Sequence, residues 1–177
     1  MSEIHGARKL TTLKSAEEIA SRVRDLAREI NRDLGGQELV VVGVLRGAVI
    51  FMSDLVRHLQ MPLTCDFIRV SSYGEGQESS GRVQLEVDLT QPVAGKHVLV
   101  VEDIVDTGLT MQYLRQNLAA RHPASVRVCT MLHKPEVSAG VQLDYVGFAI
   151  PNRFVVGYGL DLAEQYRNLP YIAVVED

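Results

Sequence analysis

The sequence predicts one α/β domain, a mostly parallel twisted sheet flanked by helices, and two observations predict it. Continuous apolar runs of strand length, such as LVVVGV (39–44) and HVLVVE (97–102), alternate with stretches whose apolar residues recur at helical spacing. A chain of 177 residues with 46 % hydrophobic composition fills one core of ordinary size, so a single domain over 1–177 is expected.

The first helix spans Ser15 to Leu34. Ile19, Val23, Leu26, Ala27 and Ile30 share one face, Ser15 and Glu18 have capping-box spacing, and Gly35-Gly36 ends the run. The 39–44 strand passes through the tight Leu45-Arg46-Gly47 loop into a helix over 51–59, and TCDFIRV (64–70) is the next strand. SSYGEGQESSGR (71–82) has almost no apolar side chains and is expected to be a mobile flap. VQLEVDL (83–89) alternates as a half-exposed strand does. The 97–102 strand leads into a helix over 109–121, and VRVCTML (126–132) is a further buried strand.

Composition narrows the function classes. Eighteen Lys and Arg against 22 Asp and Glu give a net charge of −4, which disfavours binding to nucleic acid. No window reaches the length of a membrane span and MSEIHGARKL is not a leader, so a cytoplasmic chain with no membrane partner is expected. Cys65 and Cys129 sit in apolar strand-like runs without CxxC spacing and are expected to be buried thiols.

The chemistry concentrates in VVEDIVDTGLTM (100–111). Glu102 and Asp103 fall at the carboxyl end of a strand, the edge where open parallel sheets take their ligands. Neighbouring carboxylates repel, which is tolerable in water and useful if they bind magnesium or accept hydrogen bonds from sugar hydroxyls. Asp106-Thr107-Gly108-Leu109-Thr110 then opens a helix whose first N–H groups lack intrahelical partners and form a ready anion site. Gly108 lets a phosphate approach, and Thr107 and Thr110 add hydroxyl donors. Taken singly, the acids also read as a solvated turn and Asp106 or Thr107 as a plain N-cap. Taken together, a phosphate cradle beside diol- or metal-binding acids has the polarity of a ribose 5-phosphate.

VVEDIVDTGLTM resembles the phosphoribosyl-pyrophosphate (PRPP) loop of the type I phosphoribosyltransferases. From GVLRGAVIFMSDL (43–55) onward the chain is similar to the hypoxanthine-guanine phosphoribosyltransferases. The resemblance implies the type I fold with a small hood and a flexible lid. It implies an enzyme of purine salvage that converts a 6-oxopurine base and PRPP, with Mg2+, to a purine nucleoside monophosphate and pyrophosphate. Glu102, Asp103, Asp106, Thr107, Gly108, Leu109 and Thr110 would bind the phosphoribosyl group, Leu109 standing where many relatives carry a basic residue.

Asp106 is the candidate general base at purine N7. Arg46 and Gly47, in a loop that has a non-proline cis peptide in the family, would bind pyrophosphate together with Arg167. Ser72 and Tyr73 would begin the lid. Lys134 of HKP (133–135) donates only and suits the 6-oxo group, with His133 structural. Phe154 would stack on the purine, the Val155 carbonyl would reach its edge, and Glu102, Asp103 and Asp161 would hold magnesium. Assembly as a homodimer or homotetramer follows from the same resemblance. A PRPP-sensing regulator of nucleic acid is the rival reading, and the chain has neither room nor charge for the basic face it would need.

Overall fold

A computed structural model describes residues 2–5, 8–73, 82–138 and 140–176. Its elements are β1 (Ser2–His5), β2 (Arg8–Lys14), α1 (Ala16–Leu34), β3 (Leu39–Val44), α2 (Val49–Val56), β4 (Leu63–Tyr73) and β5 (Arg82–Val87). They continue with β6 (His97–Val105), α3 (Leu109–Ala119), β7 (Ser125–His133), β8 (Tyr145–Ala149), β9 (Val155–Val156) and β10 (Ile172–Val175).

The main sheet has six strands in the order β5-β4-β3-β6-β7-β8, parallel except for β5, which runs antiparallel to β4. Strand alternation sorts its apolar residues. Leu39, Val41, Leu99 and Val101 pack with α1 and α2 on one face, while Val40, Val42, Val98 and Val100 pack with α3 on the other. From β3 the chain passes through α2 to β4 on one side, and from β6 through α3 to β7 on the other. The β3/β6 boundary is therefore a topological switch point, and a crevice opens at its carboxyl end.

A second sheet, β1-β2-β10-β9, is antiparallel and joins the amino-terminal strands to the carboxyl-terminal ones as the hood. It rests on the main core through Val155, Ile172 and Val174.

The Ser15 hydroxyl accepts from the Glu18 N–H at 3.2 Å and the Glu18 carboxylate accepts from the Ser15 N–H at 2.9 Å, completing the capping box. Other boundaries move. The second helix begins at Val49 and ends at Val56, because His58 and Leu59 donate to Leu55 and Val56, three residues back, in a closing turn. The same tightening at Arg121 and His122 ends α3 at Ala119.

The 97–102 strand runs on to Val105, since β7 supplies ladder partners as far as His133. Ser71 to Tyr73, expected in the flap, extend β4 and pair with 82–84 of β5. The rest of the flap, 74–81, lies outside the described residues, as do the side chains of Ser72 and Tyr73. Cys129 is buried as expected, but Cys65 is exposed. In β4, Asp66 and Ile68 turn inward while Cys65 and Phe67 occupy a largely uncovered face, so this strand is half-buried rather than central. No helix among the described residues is long and apolar enough to cross a membrane.

Asp66, only 8 % exposed, ties β4 to the chain after β5. It accepts from the Phe67 N–H at 2.8 Å, the Thr90 N–H at 2.7 Å, the Thr90 hydroxyl at 3.1 Å and the Gln91 N–H at 3.3 Å. Burial alone would raise its carboxyl, but these donors outweigh burial and hold it below the usual range. Its stabilisation is complete above the ordinary aspartate range and is lost as pH falls through the lowered folded value. Asp66→Ala should cost about 1–3 kcal/mol, seen as a lower urea midpoint at unchanged slope, and should flatten the acid limb of the stability–pH curve.

Candidate functional site

Glu102 and Asp103 are successive residues of β6, so they face opposite sides of the sheet. Glu102 is 6 % exposed and lies on the α3 side. There it lines a cleft of about 230 Å³ with Val44, Val70, Asp106, Thr107 and Thr110. Asp103 faces the loop after β3: a Cβ on Gly47 would lie 1.5 Å from its Oδ2, so any side chain there would have to displace the carboxylate.

The Asp103 N–H donates to Glu102 Oε1 at 3.2 Å, and the Ile104 N–H donates to Asp103 Oδ1 at 2.7 Å. Burial, reinforced by the Asp103 charge, pushes the Glu102 carboxyl well above the usual range. Burial also raises Asp103, against the opposing pull of Glu102, the Ile104 N–H and the Arg167 guanidinium.

Gly108 is the N-cap of α3 at φ 82°, with no side-chain cap. The plain N-cap reading of Asp106 and Thr107 is thereby corrected: both are exposed, and the glycine occupies the cap position. A Cβ there would lie 2.0 Å from Val141 Cγ2, so both backbone angle and space demand glycine. The first turn of α3 has no side-chain cap, and Thr107 and Thr110 stand on the cleft wall beside it. Leu109, by contrast, is exposed and outside the cleft lining.

Lys134 follows β7, and its N–H donates to the Val105 carbonyl at 3.0 Å, extending the β6/β7 ladder by one rung. Its buried ammonium donates to Asp106 Oδ2 at 2.8 Å. Ser138 anchors this corner: its hydroxyl donates to the Lys134 carbonyl and hydrogen-bonds His133 Nε2, each at 2.7 Å, which gives His133 the structural role expected of it.

The other wall is built by the 45–47 loop and the hood segment. The Leu45–Arg46 peptide is cis. Gly159, at φ 101°, sits against this loop so closely that a Cβ would lie 2.0 Å from the Gly47 carbonyl oxygen. Arg167 donates to the Gly159 carbonyl at 2.8 Å and pairs with Asp161 Oδ1 at 2.8 Å. Arg46, Gly47, Asp103, Asp161 and Arg167 thus meet in one place.

The remaining expected residues are less drawn in. Both Asp161 oxygens are engaged, Oδ2 by the Glu164 N–H at 2.9 Å, and no three metal-ligating side chains cluster among the described residues. Glu102, Asp103 and Asp161 are therefore not gathered into one ligand set among the described residues. Phe154 is 54 % exposed, and Val155 pairs with Val174 in the hood.

Sequence reasoning missed Glu164, which bridges Arg46 and Arg167, and the close approach of Gly159. The available signal was acids three residues apart, Asp161 and Glu164, with Arg167 three further on. The left-handed backbone at Ala163, Glu164 and Tyr166 had no glycine to announce it.

The phosphoribosyl transferase domain family matches residues 9–163. A hypoxanthine-guanine phosphoribosyltransferase from Mycobacterium avium is 49 % identical over 173 residues, covering 94 % of this chain and 85 % of its own. One from Streptococcus pneumoniae is 45 % identical over 166 residues, covering 93 % and 92 %. The crystal structure of a hypoxanthine-guanine phosphoribosyltransferase from Bacillus anthracis superposes with a TM-score of 0.90 at 46 % identity, covering 94 % of this chain and 98 % of that one. The chain belongs to the phosphoribosyltransferase domain family.

The raised Glu102 carboxyl has a consequence for stability. Between the ordinary glutamate range and its raised folded value, the folded chain holds a proton that the unfolded chain has lost, so stability falls as pH rises through that window. Glu102→Gln should therefore melt higher than the parent at pH 8 in chelator without nucleotide. The gap should close toward acidic pH, as followed by thermal unfolding at stepped pH.

Proposed function

We infer that this phosphoribosyltransferase transfers the phosphoribosyl group of PRPP to a 6-oxopurine, hypoxanthine or guanine, yielding the nucleoside monophosphate and pyrophosphate in purine salvage. The observation that carries the reading is the buried Lys134 ammonium paired with Asp106 at the rim of the phosphate cleft. It sets a donor-only group, suited to a 6-oxo oxygen, beside a carboxylate suited to a purine N–H. The similarity to curated hypoxanthine-guanine enzymes supports the same choice of base.

The roles follow from position. The uncapped turn of α3, with Thr107, Gly108 and Thr110, holds the 5′-phosphate, and Glu102 on the same wall accepts from the ribose hydroxyls. Bond breaking at C1′ runs ahead of bond making, so negative charge grows on the departing pyrophosphate, where Arg46 and Arg167 lower the barrier by meeting it. Asp106 takes the purine N7 proton as N9 attacks, and Lys134 keeps the carboxylate in place while donating to O6. Phe154, exposed beside β9, stacks on the base, and the Val155 carbonyl meets its edge.

The Glu102 carboxyl, buried on the cleft wall, and the half-buried Asp103 carboxyl on the other side of β6 each suit a hard cation such as magnesium, which takes one or two carboxylates and completes its shell from phosphate and water. Glu102 from the cleft side, or Asp103 from the side of the 45–47 loop with Asp161 if that side chain leaves Arg167, would hold it, and when bound it would supply positive charge against the leaving pyrophosphate. Assembly as a homodimer or homotetramer belongs to the same reading, and the uncovered Cys65–Phe67 face of β4 supports it.

Mixing the protein with magnesium, PRPP and each purine in turn should release pyrophosphate with hypoxanthine and guanine and far less with adenine; release with no purine defeats the reading. Asp106→Asn should lower kcat by about a hundred- to ten-thousand-fold with a smaller change in PRPP binding, as measured by steady-state kinetics beside calorimetry. Lys134→Ala should narrow the preference for hypoxanthine over adenine by about 1–3 kcal/mol, and should lower kcat as well because Asp106 loses its anchor.

A further inference from the structure

Glu164 has no part in the roles above, yet its Oε2 lies between the two arginines assigned to pyrophosphate. It is 2.6 Å from Arg46 Nη1 and 3.5 Å from Arg167 Nη2. Two guanidinium groups converging on one anionic oxygen is the arrangement by which arginines hold a phosphate oxygen. The arginines arrive from separate elements, one from the loop after β3 and one from the hood segment, and Glu164 joins them.

The local backbone supports this placement. Ala163, Glu164 and Tyr166 have φ of 50°, 65° and 76°, in the left-handed region that residues bearing a Cβ seldom enter. The Glu164 N–H is held by Asp161 Oδ2, and Asp161 Oδ1 in turn holds Arg167. The turn and Arg167 therefore share one anchor, while the Glu164 side chain itself is 66 % exposed.

We propose that Glu164 is an internal stand-in for the leaving pyrophosphate. Before pyrophosphate binds, its carboxylate takes the place of an anionic oxygen and keeps Arg46 and Arg167 converged. When pyrophosphate, or the diphosphate end of PRPP, enters, the carboxylate yields the arginines to it, and it reclaims them as pyrophosphate leaves. Glu164 is thus a positioning residue that weakens retention of the product. This proposal rests on the phosphoribosyl-transfer reading of the site. Because the pair is exposed, the competition is a matter of several-fold, and it fades as salt rises.

Calorimetric titration of magnesium pyrophosphate into the wild-type protein and Glu164→Gln tests it without turnover. The glutamine variant should bind pyrophosphate about three- to tenfold tighter at low salt, with the difference shrinking at high salt. In steady state it should be inhibited by pyrophosphate more strongly by the same factor, at unchanged KM for the purine. Glu164→Asp keeps the charge and should stay nearer the parent. Glu164→Asn, whose side chain tolerates the left-handed backbone, repeats the neutral test if glutamine disturbs the turn. Equal or weaker pyrophosphate binding by the neutral variants, or binding to neither protein, overturns the proposal. Absent turnover in a wild-type protein that still shows the Glu164-dependent change in pyrophosphate affinity overturns the transfer reading instead.

Discussion

Gly47 and Asp103 are in contact with no room for a methyl group between them, and the site is arranged around that closeness. β3 and β6 run side by side, so the loop leaving one lies against the acid on the other. Gly159 then packs onto the Gly47 carbonyl from the hood side with equally little clearance. Three chain segments far apart in sequence meet at two glycines: a Cβ at Gly159 would strike the Gly47 carbonyl, and one at Gly47 would displace the Asp103 carboxylate. Arg46, Asp103 and Arg167 converge as a result. Close backbone packing of this kind transmits displacement, since interiors packed to crystalline density have little slack to absorb it.

Two carboxyls that are buried among the described residues, Asp66 and Glu102, are shifted in opposite directions. Burial opposes ionisation in both. Asp66 is repaid by backbone and hydroxyl donors and stays charged, tying β4 to the chain after β5. Glu102 accepts from the Asp103 N–H, at 3.2 Å, and faces that residue's charge. An acid left short of donors beside a cleft is poorly served by the folded chain alone and well served by a cation or a hydroxylated ligand. Electrostatics thus separates the two carboxyls, although exposure does not.

The same economy of charge runs through the rest of the crevice. The Lys134 ammonium is held by Asp106, and Arg46 and Arg167 are held by Glu164 and Asp161. The cations of the crevice are thus paired within the chain, and on the proposed reading a substrate would exchange one set of ion pairs for another. Exchange costs less than exposing bare charges in a partly buried cleft, because each cation always has an anionic neighbour. The pairs also hold side chains where incoming groups will need them, which reduces the ordering left to be done on binding.

The apolar runs and helical spacings of the sequence by themselves determined the parallel sheet, its main helices and the capping box at Ser15, because burial periodicity and local hydrogen bonding are written in neighbouring residues. They also marked residues 102–110 as an acidic strand end followed by an anion-binding turn. The hood was not legible in the same way, since β2 pairs with β10 across almost the whole chain and β9 is only two residues long. Nor did the pattern show that Glu102 and Asp103 divide between the two faces, because the strand was expected to end where it in fact continues to Val105. The bridge from Glu164 to two arginines, and the fit of Gly47 under Asp103, were decided only by tertiary structure. Contacts between distant segments depend on register and packing that no local run of residues encodes.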